Sequence, residues 1–365
     1  MIPEFLQYFP TVYCVRDKYQ IIFITKDAGA GAVIIDGKRY TDNICGVVRS
    51  ASRVHKIEIK TDILDNAGGY TVELRRMPER LAYHTVTVST ESVYIPFRGV
   101  PVSEDINCYI ISDTHGNFDE PSEAAKYFGS DIDLLILGGD IGRNVTDEEG
   151  LFAVARLSSN IVKGERAVIF MRGNHDTRGA FAEFLPYCVG SDKGKTYFTI
   201  RLGRLWFVVL DEGEDKPDSD ESYGGTADYA DMRNSQIEML ENIINKPHTE
   251  YAADGVDICI GLCHTPFTRW ESPLFAKWNE QFNKIGIDIL LSGHTHRVRY
   301  TAPENTPRET LRPDFPVIEC AELNRDDLSV YKGTALTIGK DKMTVRFTDK
   351  QHNIKEEHVI PIKRG

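Results

Sequence analysis

Side chains of the types that bind metals follow five separate apolar runs of this 365-residue sequence. The five segments are Ser112-Asp113-Thr114-His115-Gly116, Gly138-Gly139-Asp140, Gly173-Asn174-His175-Asp176, His264 and Gly293-His294-Thr295-His296. Asp113 and His115 are two residues apart, as are the two histidines of the last segment, and side chains at this spacing in an extended backbone point to the same side. Imidazole, carboxylate and amide groups without a thiolate suit a divalent metal such as Mn, Fe or Zn.

The number of potential ligands indicates two metal ions rather than one. The ligands are Asp113, His115, Asp140, Asn174, His264, His294 and His296. Seven ligands are too many for a single ion that keeps an open coordination position. Taken alone, His264 would be a core or loop histidine, and Asp113 or Asp140 a helix N-cap. Separate explanations of this kind would have to apply at all five segments at once, so we favour a metal centre as the single explanation. The glycines of these segments would allow sharp turns and leave room for a ligand.

Compact apolar runs that alternate with helical segments predict an α/β sheet after residue 100. The predicted strands are Cys108–Ile111, Asp133–Leu137, Ala167–Met171, Leu205–Leu210, Ile258–Leu262 and Ile287–Leu291. The predicted helices are Glu120–Phe128, Gly150–Val162 and Asp231–Lys246. Ligands of open α/β sheets lie at the carboxyl ends of the strands, so the five segments should meet at one rim. Ser329–Ile362 returns to alternation and predicts antiparallel strands at the sheet edge.

The first hundred residues show a different pattern, of short runs with period-2 alternation. Turn formers such as Asp36-Gly37 separate these runs, and no long amphipathic helix interrupts them. This pattern predicts an all-β sandwich of the fibronectin-III or Ig type. We therefore expect two domains, an all-β domain over 1–98 and an α/β domain over 99–365. The glycines of Asp27–Gly31 are interpreted as a hairpin turn rather than a phosphate-binding loop.

Composition and charge narrow the function classes. The net charge is −12, and the acidic excess lies in residues 101–365, which argues against a dedicated nucleic-acid binder. The apolar runs are too short to span a bilayer. Seven scattered cysteines indicate buried thiols rather than a disulfide framework, and no secretory signal is evident, so we expect a cytoplasmic protein without a membrane partner. The sequence does not predict an oligomeric state.

Taken in order, the five segments resemble the motifs of the calcineurin-like metallophosphoesterases, over roughly residues 104–365. The resemblance implies a β-sandwich core flanked by helices and a dinuclear centre. One metal would be bound by Asp113, His115 and His296, and the other by Asn174, His264 and His294, with Asp140 bridging both. A hydroxide between the two ions would attack phosphorus in line, without a covalent enzyme intermediate.

The resemblance also implies a role for the residues that follow Asn174. His175 would face the substrate as general acid or leaving-group stabiliser, and Asp176 would orient it. Asn117, Arg143 and Arg178 lie just after the motifs and are candidates for binding phosphate, although surface ion pairs would explain them equally well.

The order of an all-β domain before this catalytic domain is similar to that of purple acid phosphatases. The motifs depart from that group in two ways. Purple acid phosphatases carry a Tyr three residues after the bridging Asp, where this chain has Arg143, and they lack a histidine corresponding to His115. A coloured Fe(III)–tyrosinate centre is therefore not expected.

Loops around the rim should determine the substrate. Residues 212–231 form either a solvated insertion or a lid that carries Tyr223 and Tyr229. Trp270 and Trp278 would form an aromatic wall for a leaving group or would anchor their own loop.

Three function classes follow from these features. The first is a phosphoric ester hydrolase acting on a small phosphorylated substrate, a phosphomonoesterase in view of the domain order, with a small-molecule phosphodiesterase as the alternative that His115 supports. The second is a binding protein that keeps the fold without turnover. The third is a metal-dependent nuclease, against which the acidic charge argues.

Overall fold

The computed structural model describes residues 1–42, 46, 52–103, 105–270, 272–306, 311–324 and 326–362. The strands in these ranges are β1 (Thr11–Val15), β2 (Lys18–Ile35), β3 (Lys38–Tyr40), β4 (Ser52–Lys60), β5 (Gly69–Arg76), β6 (Glu79–Arg80), β7 (Thr85–Val86), β8 (Ser89–Pro96), β9 (Ile106–Ile111), β10 (Leu134–Leu137), β11 (Ala167–Phe170), β12 (Phe198–Leu202), β13 (Leu205–Leu210), β14 (Ile258–Cys263), β15 (Ile289–Ser292), β16 (Val298–Thr301), β17 (Val317–Cys320), β18 (Glu322–Leu323), β19 (Tyr331–Ile338), β20 (Lys342–Asp349) and β21 (Ile354–Pro361).

The helices complete the element order. The α-helices are α1 (Thr61–Ala67), α2 (Asp119–Ala124), α3 (Glu148–Leu151), α4 (Ala153–Ile161), α5 (Leu185–Cys188), α6 (Tyr229–Ile244) and α7 (Pro273–Ile285). Short 3₁₀ helices cover Ala125–Asp131, His175–Thr177, Ala182–Phe184, Glu221–Tyr223, Pro247–Thr249, Phe267–Arg269 and Pro303–Asn305.

Two mixed sheets pack face to face, and helices cover their outer faces. The first sheet has the order β21-β20-β19-β9-β10-β11-β1-β2-β5-β8, and the second has the order β12-β13-β14-β15-β17-β16. On β9, Ile106, Cys108 and Ile110 belong to the core between the sheets, whereas Tyr109 and Ile111 pack with the helices outside. Both faces of β9 are therefore buried, which explains why its sequence is a continuous apolar run.

The six predicted strands of the α/β part are confirmed, with shifts of a few residues at their ends. The C-terminal prediction is also confirmed, since β19, β20 and β21 form an antiparallel edge next to β9. The helix predicted over Gly150–Val162 begins later, at Ala153, because a separate turn of helix, α3, precedes it. Asp147 caps α3 by accepting a hydrogen bond from the backbone of Gly150.

The N-terminal residues form strands, but a separate fibronectin-III or Ig-like domain is not confirmed. β1 pairs in parallel with β11, with Val12 opposite Ala167, so the N-terminal strands continue the first sheet. Period-2 alternation reports that a strand has a buried face, whereas the identity of the layer that covers it depends on residues far away in the chain. The domain boundary between residues 98 and 99 stays a prediction.

The hairpin turn expected at Asp27–Gly31 is wrong, because these residues lie inside the 18-residue strand β2. There the strand shifts register between Ile24 and Gly29, and it goes on to pair with β5. A Cβ atom on Gly29 would lie 2.4 Å from the backbone oxygen of Arg75, so glycine permits this close approach. The turn predicted at Asp36-Gly37 is confirmed, with positive φ at both residues.

The cysteine expectation agrees with the structure where it is described. Cys14, Cys108, Cys188, Cys259, Cys263 and Cys320 are buried free thiols, and Cys45 lies outside the described residues. Within the described ranges, no helix has both the length and the apolar character needed to cross a membrane. A cytoplasmic location stays a prediction.

Candidate metal centre

The five predicted segments meet at the carboxyl ends of five strands. Asp113 follows β9, Asp140 follows β10 and Asn174 follows β11, so three segments come from the first sheet. His264 follows β14 directly, and the segment with His294 follows β15, so the other two come from the second sheet. The site therefore lies where one end of the two-sheet sandwich opens.

One group of donor atoms is formed by Asp113, His115 and His296. These atoms all lie within 4.8 Å of one another. The Nε2 atoms of His115 and His296 are 3.2 Å apart, and their rings stack with an angle of only 6°. His296 Nε2 is also 3.6 Å from Asp113 Oδ1. Two imidazole nitrogens turned toward each other and toward a carboxylate suit a shared divalent cation.

A second group is formed by Asp140, Asn174, His264 and His294. Asp140 Oδ2 lies 3.4 Å from His264 Nε2. One end of the Asn174 amide lies 3.1 Å from His294 Nδ1 and 3.3 Å from Asp140 Oδ2. If the amide oxygen occupies this end, it faces only acceptor atoms, and a cation bound between them would satisfy all of them. If the amide nitrogen occupies this end, it would donate hydrogen bonds to both His294 and Asp140. This donor set, of one carboxylate, one amide and two imidazoles, fits a divalent metal.

Hydrogen bonding fixes which nitrogen of His264 faces the site. Its Nδ1 lies 2.6 Å from the carbonyl oxygen of Gly138 and donates to it. Nε2 is then the nitrogen turned toward Asp140 and Asp113. In metal sites, a hydrogen bond from the imidazole nitrogen that does not bind the metal sets the orientation of the ring.

Asp140 connects the two groups. Its Oδ2 is 3.9 Å from His115 Nε2, in the first group, as well as 3.4 Å from His264 Nε2, in the second. Burial alone would raise the pKa of Asp140, but the charge and hydrogen bond of His264 hold it well below its usual range. Asp140 is therefore a carboxylate at neutral pH and lies between the two groups.

Burial shifts the pKa values of two other candidate ligands, and these shifts affect the protonation states in which they could bind a metal. Burial raises the pKa of Asp113 to about 6, against the lowering effect of His264. Burial, and then the neighbouring charge of His264, lower the pKa of His294 to about 4. His294 is therefore a neutral imidazole at pH 7, the form that binds metals.

Five of the seven predicted ligands have a left-handed backbone. Their φ angles are 55° at Asp113, 47° at His115, 55° at Asp140, 69° at His294 and 54° at His296. This conformation costs roughly 1–2 kcal/mol for a residue with a side chain, and it clusters at functional sites. Hydrogen bonds between the loops hold it, among them Asp113 N to Gly139 O at 3.0 Å and His115 N to Asp140 O at 3.0 Å.

Two glycines allow these loops to pack against each other. A Cβ atom on Gly293 would lie 2.0 Å from Ser112 Oγ and 2.6 Å from Asp113 Oδ2. A Cβ atom on Gly173 would lie 2.2 Å from Asp140 Oδ1. These glycines therefore permit the close packing of the ligand loops, whereas the predicted room for a bound ligand stays a prediction.

Supporting residues that the sequence analysis did not identify hold the ligand loops. Ser112 Oγ donates to Asp113 Oδ2 at 2.6 Å. Glu319 on β17 is buried and accepts hydrogen bonds from the hydroxyl of Thr295 and from Arg269. Ser112 could have been found from its position in the first motif, whereas no local pattern marks Glu319.

His175 lies at the same centre, but Asp176 does not orient it as predicted. The His175 ring is 4.6 Å from the ring of His115. Its Nδ1 lies 2.8 Å from the carbonyl oxygen of Arg143, and its Nε2 lies 2.9 Å from Arg178. Asp176 instead accepts hydrogen bonds from two backbone N–H groups of the ligand loops, those of residues 140 and 173, both at 2.9 Å. Asp176 thus ties these two loops together.

The three candidates for phosphate binding have different surroundings. Asn117 donates to the backbone oxygen of Leu328 at 2.9 Å, so its amide holds a loop. Arg143 is exposed. Arg178 forms a two-pronged ion pair with the buried carboxylate of Glu214, which the sequence analysis did not single out.

The structure distinguishes between the two interpretations for one of the loop tryptophans. Trp278 is fully buried in the core beside the second sheet, as its anchoring interpretation predicted. Trp270 remains 40% exposed, and its ring lies 5.9 Å from that of His294. Tyr229 is the first residue of α6, and its ring lies 5.9 Å from that of Tyr223. Movement of 212–231 as a lid stays a prediction.

Comparison with known proteins agrees with this geometry. The sequence model of the calcineurin-like phosphoesterase family matches residues 106–298, a span that contains all seven predicted ligands. None of the curated proteins matches the sequence. Purple acid phosphatase PPD1 from yellow lupin (Lupinus luteus) seeds superposes with a TM-score of 0.61 at 13% identity, over 97% of this chain and 74% of that one.

A second solved structure, that of PhoD, superposes with a TM-score of 0.55 at 10% identity, over 100% of this chain and 92% of that one. At such low identity these two likenesses show the fold. The family model covers more than half of the chain, and the donor clusters indicate divalent metal ions. The chain therefore belongs to the calcineurin-like phosphoesterases, the metal-dependent hydrolases of phosphoric esters.

Proposed function

We propose that the chain is a phosphomonoesterase that acts on a small phosphorylated substrate with two divalent metal ions. Asp113, His115 and His296 would hold one ion, and the remaining three ligands, Asn174, His264 and His294, would hold the other. The observation that carries the two-metal part of this proposal is the position of Asp140, whose Oδ2 lies within 4 Å of an imidazole nitrogen of each group. Mn, Fe and Zn are the metals that suit these ligands.

When bound, the ions would neutralise phosphoryl oxygens and lower the pKa of water toward neutrality. The protein contributes the fixed orientation of the groups around them. His264 is locked by its bond to Gly138. His175 donates from Nδ1 to the carbonyl of Arg143, which leaves Nε2 beside the guanidinium of Arg178. Arg178 donates to this Nε2, so the nitrogen holds no proton of its own, and His175 and Arg178 would contact the ester as stabilisers of the leaving group.

Two candidate residues would act through others rather than on the ester. Asp176 would position Asp140 and Gly173 by accepting their backbone N–H groups. Asn117 would position the loop at Leu328. Arg143 is exposed and would be available to a phosphoryl oxygen.

A small-molecule phosphodiesterase is the second candidate. The Arg178 guanidinium is already paired with Glu214, so fewer free cationic groups face the charge of a dianionic monoester. A diester carries one negative charge and needs less compensation. His115, which contacts His296 at 3.2 Å, also supports this candidate, since Asp-x-His is the form that the resemblance associates with diesterases.

Hydrolysis of p-nitrophenyl phosphate beside bis-p-nitrophenyl phosphate tests both candidates. Metal-stripped protein would be reloaded with Mn²⁺, Fe²⁺ or Zn²⁺, and its metal content measured. We expect metal-dependent turnover that falls at least about 100-fold in Asp140→Asn and is unchanged in Asp254→Asn, a control at an exposed site. The preferred ester distinguishes the monoesterase from the diesterase. No turnover of either ester, with two metals bound, would contradict both.

The acidic charge supports a small substrate rather than a nucleic acid. A binding assay with single- and double-stranded DNA at low salt tests this part of the proposal. We expect no retained complex, whereas saturable binding would favour a metal-dependent nuclease.

A further inference from the structure

A cleft of about 350 Å³ opens beside His294. Its lining includes residues of two loops that follow strands of the second sheet, among them Asp215 after β13 and Trp270 after β14. Because His294 belongs to the predicted metal centre, a phosphoryl group held by the metals would have this cleft as a neighbour. The part of the ester that leaves would therefore have a site of its own.

One wall of the cleft is aromatic and aliphatic. It consists of Trp270, Leu274 and Phe275. Trp270 is 40% exposed although it lies next to the buried centre, whereas Trp206 and Trp278 are 1% and 0% exposed. An indole left exposed here offers a flat surface on which a ring can stack, and stacking of this kind is worth about tenfold or more in affinity.

A second part of the cleft wall is acidic and includes Glu212, Glu214 and Asp215. The buried carboxylates of Glu212 and Glu214 already accept hydrogen bonds from Thr265 and Arg178, so the exposed Asp215 is the acceptor that remains for a ligand. The two cations of this wall are engaged elsewhere. Arg233 donates to the backbone oxygens of Glu212 and Glu214, and Lys216 contacts Asp220 and Ser222. A ring with N–H donors would be favoured in this cleft, and an anionic group would be disfavoured.

Hydrogen bonds fix the cleft before any ligand binds. Glu212 accepts from the backbone N–H of Thr265 at 3.0 Å, which joins the two loops. Ser272 caps α7 by accepting from the backbone N–H of Phe275 at 3.0 Å. A preformed site loses little conformational entropy on binding.

We propose that this cleft binds the leaving group of the substrate and that this group carries a heteroaromatic ring with amino donors, the chemistry of a nucleobase. The leaving-group role rests on the hydrolase function proposed above. Binding to the cleft does not, because a nucleoside without phosphate should occupy it.

Calorimetric titration of the full-length, metal-loaded protein with adenosine and with ribose tests the binding component. We expect adenosine to bind at least about tenfold more tightly than ribose, and this preference to disappear in Trp270→Ala. Cytidine, which has an amino donor where uridine has a carbonyl, should bind more tightly than uridine. Tyr187→Ala removes an aromatic side chain that is 57% exposed on α5 and should bind like the unaltered protein.

Tryptophan fluorescence then locates the ligand. Because the other two tryptophans are buried, quenching by adenosine would report contact with Trp270. Equal affinity for adenosine and ribose, or a preference that survives Trp270→Ala, would overturn the proposal. Tighter binding of uridine than of cytidine would overturn the assignment of amino donors.

Inhibition kinetics test the leaving-group role. Adenosine should compete with whichever nitrophenyl ester the protein hydrolyses, and ribose should not. Adenosine binding without competition would overturn this role and leave the hydrolase function intact. No hydrolysis of either nitrophenyl ester by metal-loaded protein would be the failure of the function itself, and it would overturn the leaving-group role too.

Discussion

Thr295 lies between two predicted ligands, His294 and His296, but its side chain serves a different purpose. Its hydroxyl donates to the buried carboxylate of Glu319, which also accepts from Arg269. The loop that carries both histidines is thereby fixed to β17. Groups that orient metal ligands in this way commonly account for 10–100-fold in metal affinity.

Thr295→Val therefore tests whether this anchor matters. It removes the hydroxyl while keeping the branched shape, so we expect metal affinity to fall by about tenfold or more, whereas Thr295→Ser should retain most of it. Competition with a metal-binding dye would measure both variants. Equal metal affinities of the Thr295→Val and Thr295→Ser variants would mean that the loop holds its shape without the hydrogen bond to Glu319.

The convergence of the predicted ligands at one site was predictable from sequence, because their types are distinctive and each follows an apolar run. Their supports were not. Glu319 lies 24 residues from Thr295, and Glu214 lies 36 residues from Arg178, with no local pattern connecting either pair. Asp176 was identified with the wrong partner, because two backbone N–H groups compete successfully for its carboxylate.

At the scale of elements, the loop after β15 must approach the loop after β9 very closely. Gly293→Ala would place a methyl group 2.0 Å from Ser112 Oγ, so one loop must move. We expect a loss of about 1–3 kcal/mol in the free energy of unfolding, together with weaker metal binding. Urea titration and metal analysis would measure the two effects.

Gly37→Ala provides the comparison for that variant. Gly37 has a φ of 77°, but its Cβ would meet no atom within 4 Å. Gly37→Ala should therefore lower the free energy of unfolding by about 1 kcal/mol through backbone strain alone, and metal binding should be unchanged. Equal metal binding in the two alanine variants would contradict the steric explanation.

The turn between β20 and β21 should make stability depend on pH. Burial would raise the pKa of Asp349, but hydrogen bonds from Lys355 and from the backbone and side chain of Asn353 lower it to about 2. The unfolded value is about 3.9, so the ionised carboxylate stabilises the fold above pH 4 and this contribution is lost as the pH falls toward 2. Asp349→Asn should therefore be less stable than the unaltered protein at pH 6, and the difference should shrink toward pH 2. Urea titrations at several pH values would measure it, and a difference that stayed constant would contradict the assignment.

Strand β2 shows where local prediction stops. Its period-2 alternation indicated strands correctly, yet Gly29 and Gly31 were interpreted as a turn. The glycines serve close backbone approach within one long strand, and only the partners of that strand reveal this. By contrast, Asp36-Gly37 was predicted correctly because its conformation is set within the turn itself.

For the molecule as a whole, the shared core predicts a single unfolding transition. Val12 and Val72 from the N-terminal strands belong to the same buried cluster as Ile136 and Leu291 beside the metal centre. We expect calorimetry to show one transition, coincident with the change in tryptophan fluorescence.

The positions of the three tryptophans make this comparison sensitive. All lie within residues 206–278, in the second sheet or the loop and helix that follow β14. An N-terminal domain that unfolded independently would produce an additional calorimetric transition without a change in fluorescence. Such a result would favour the boundary between residues 98 and 99.

The pairing of β9 with β19 also determines when the centre can form during synthesis. Thr337 on β19 follows Asn107 on β9 by 230 residues. At about 5–20 residues per second, a ribosome would need roughly 10–50 s to add them. Until then one edge of β9, the strand that precedes Asp113, would be exposed to other chains or to a chaperone. Metal loading should therefore be an event of the completed polypeptide.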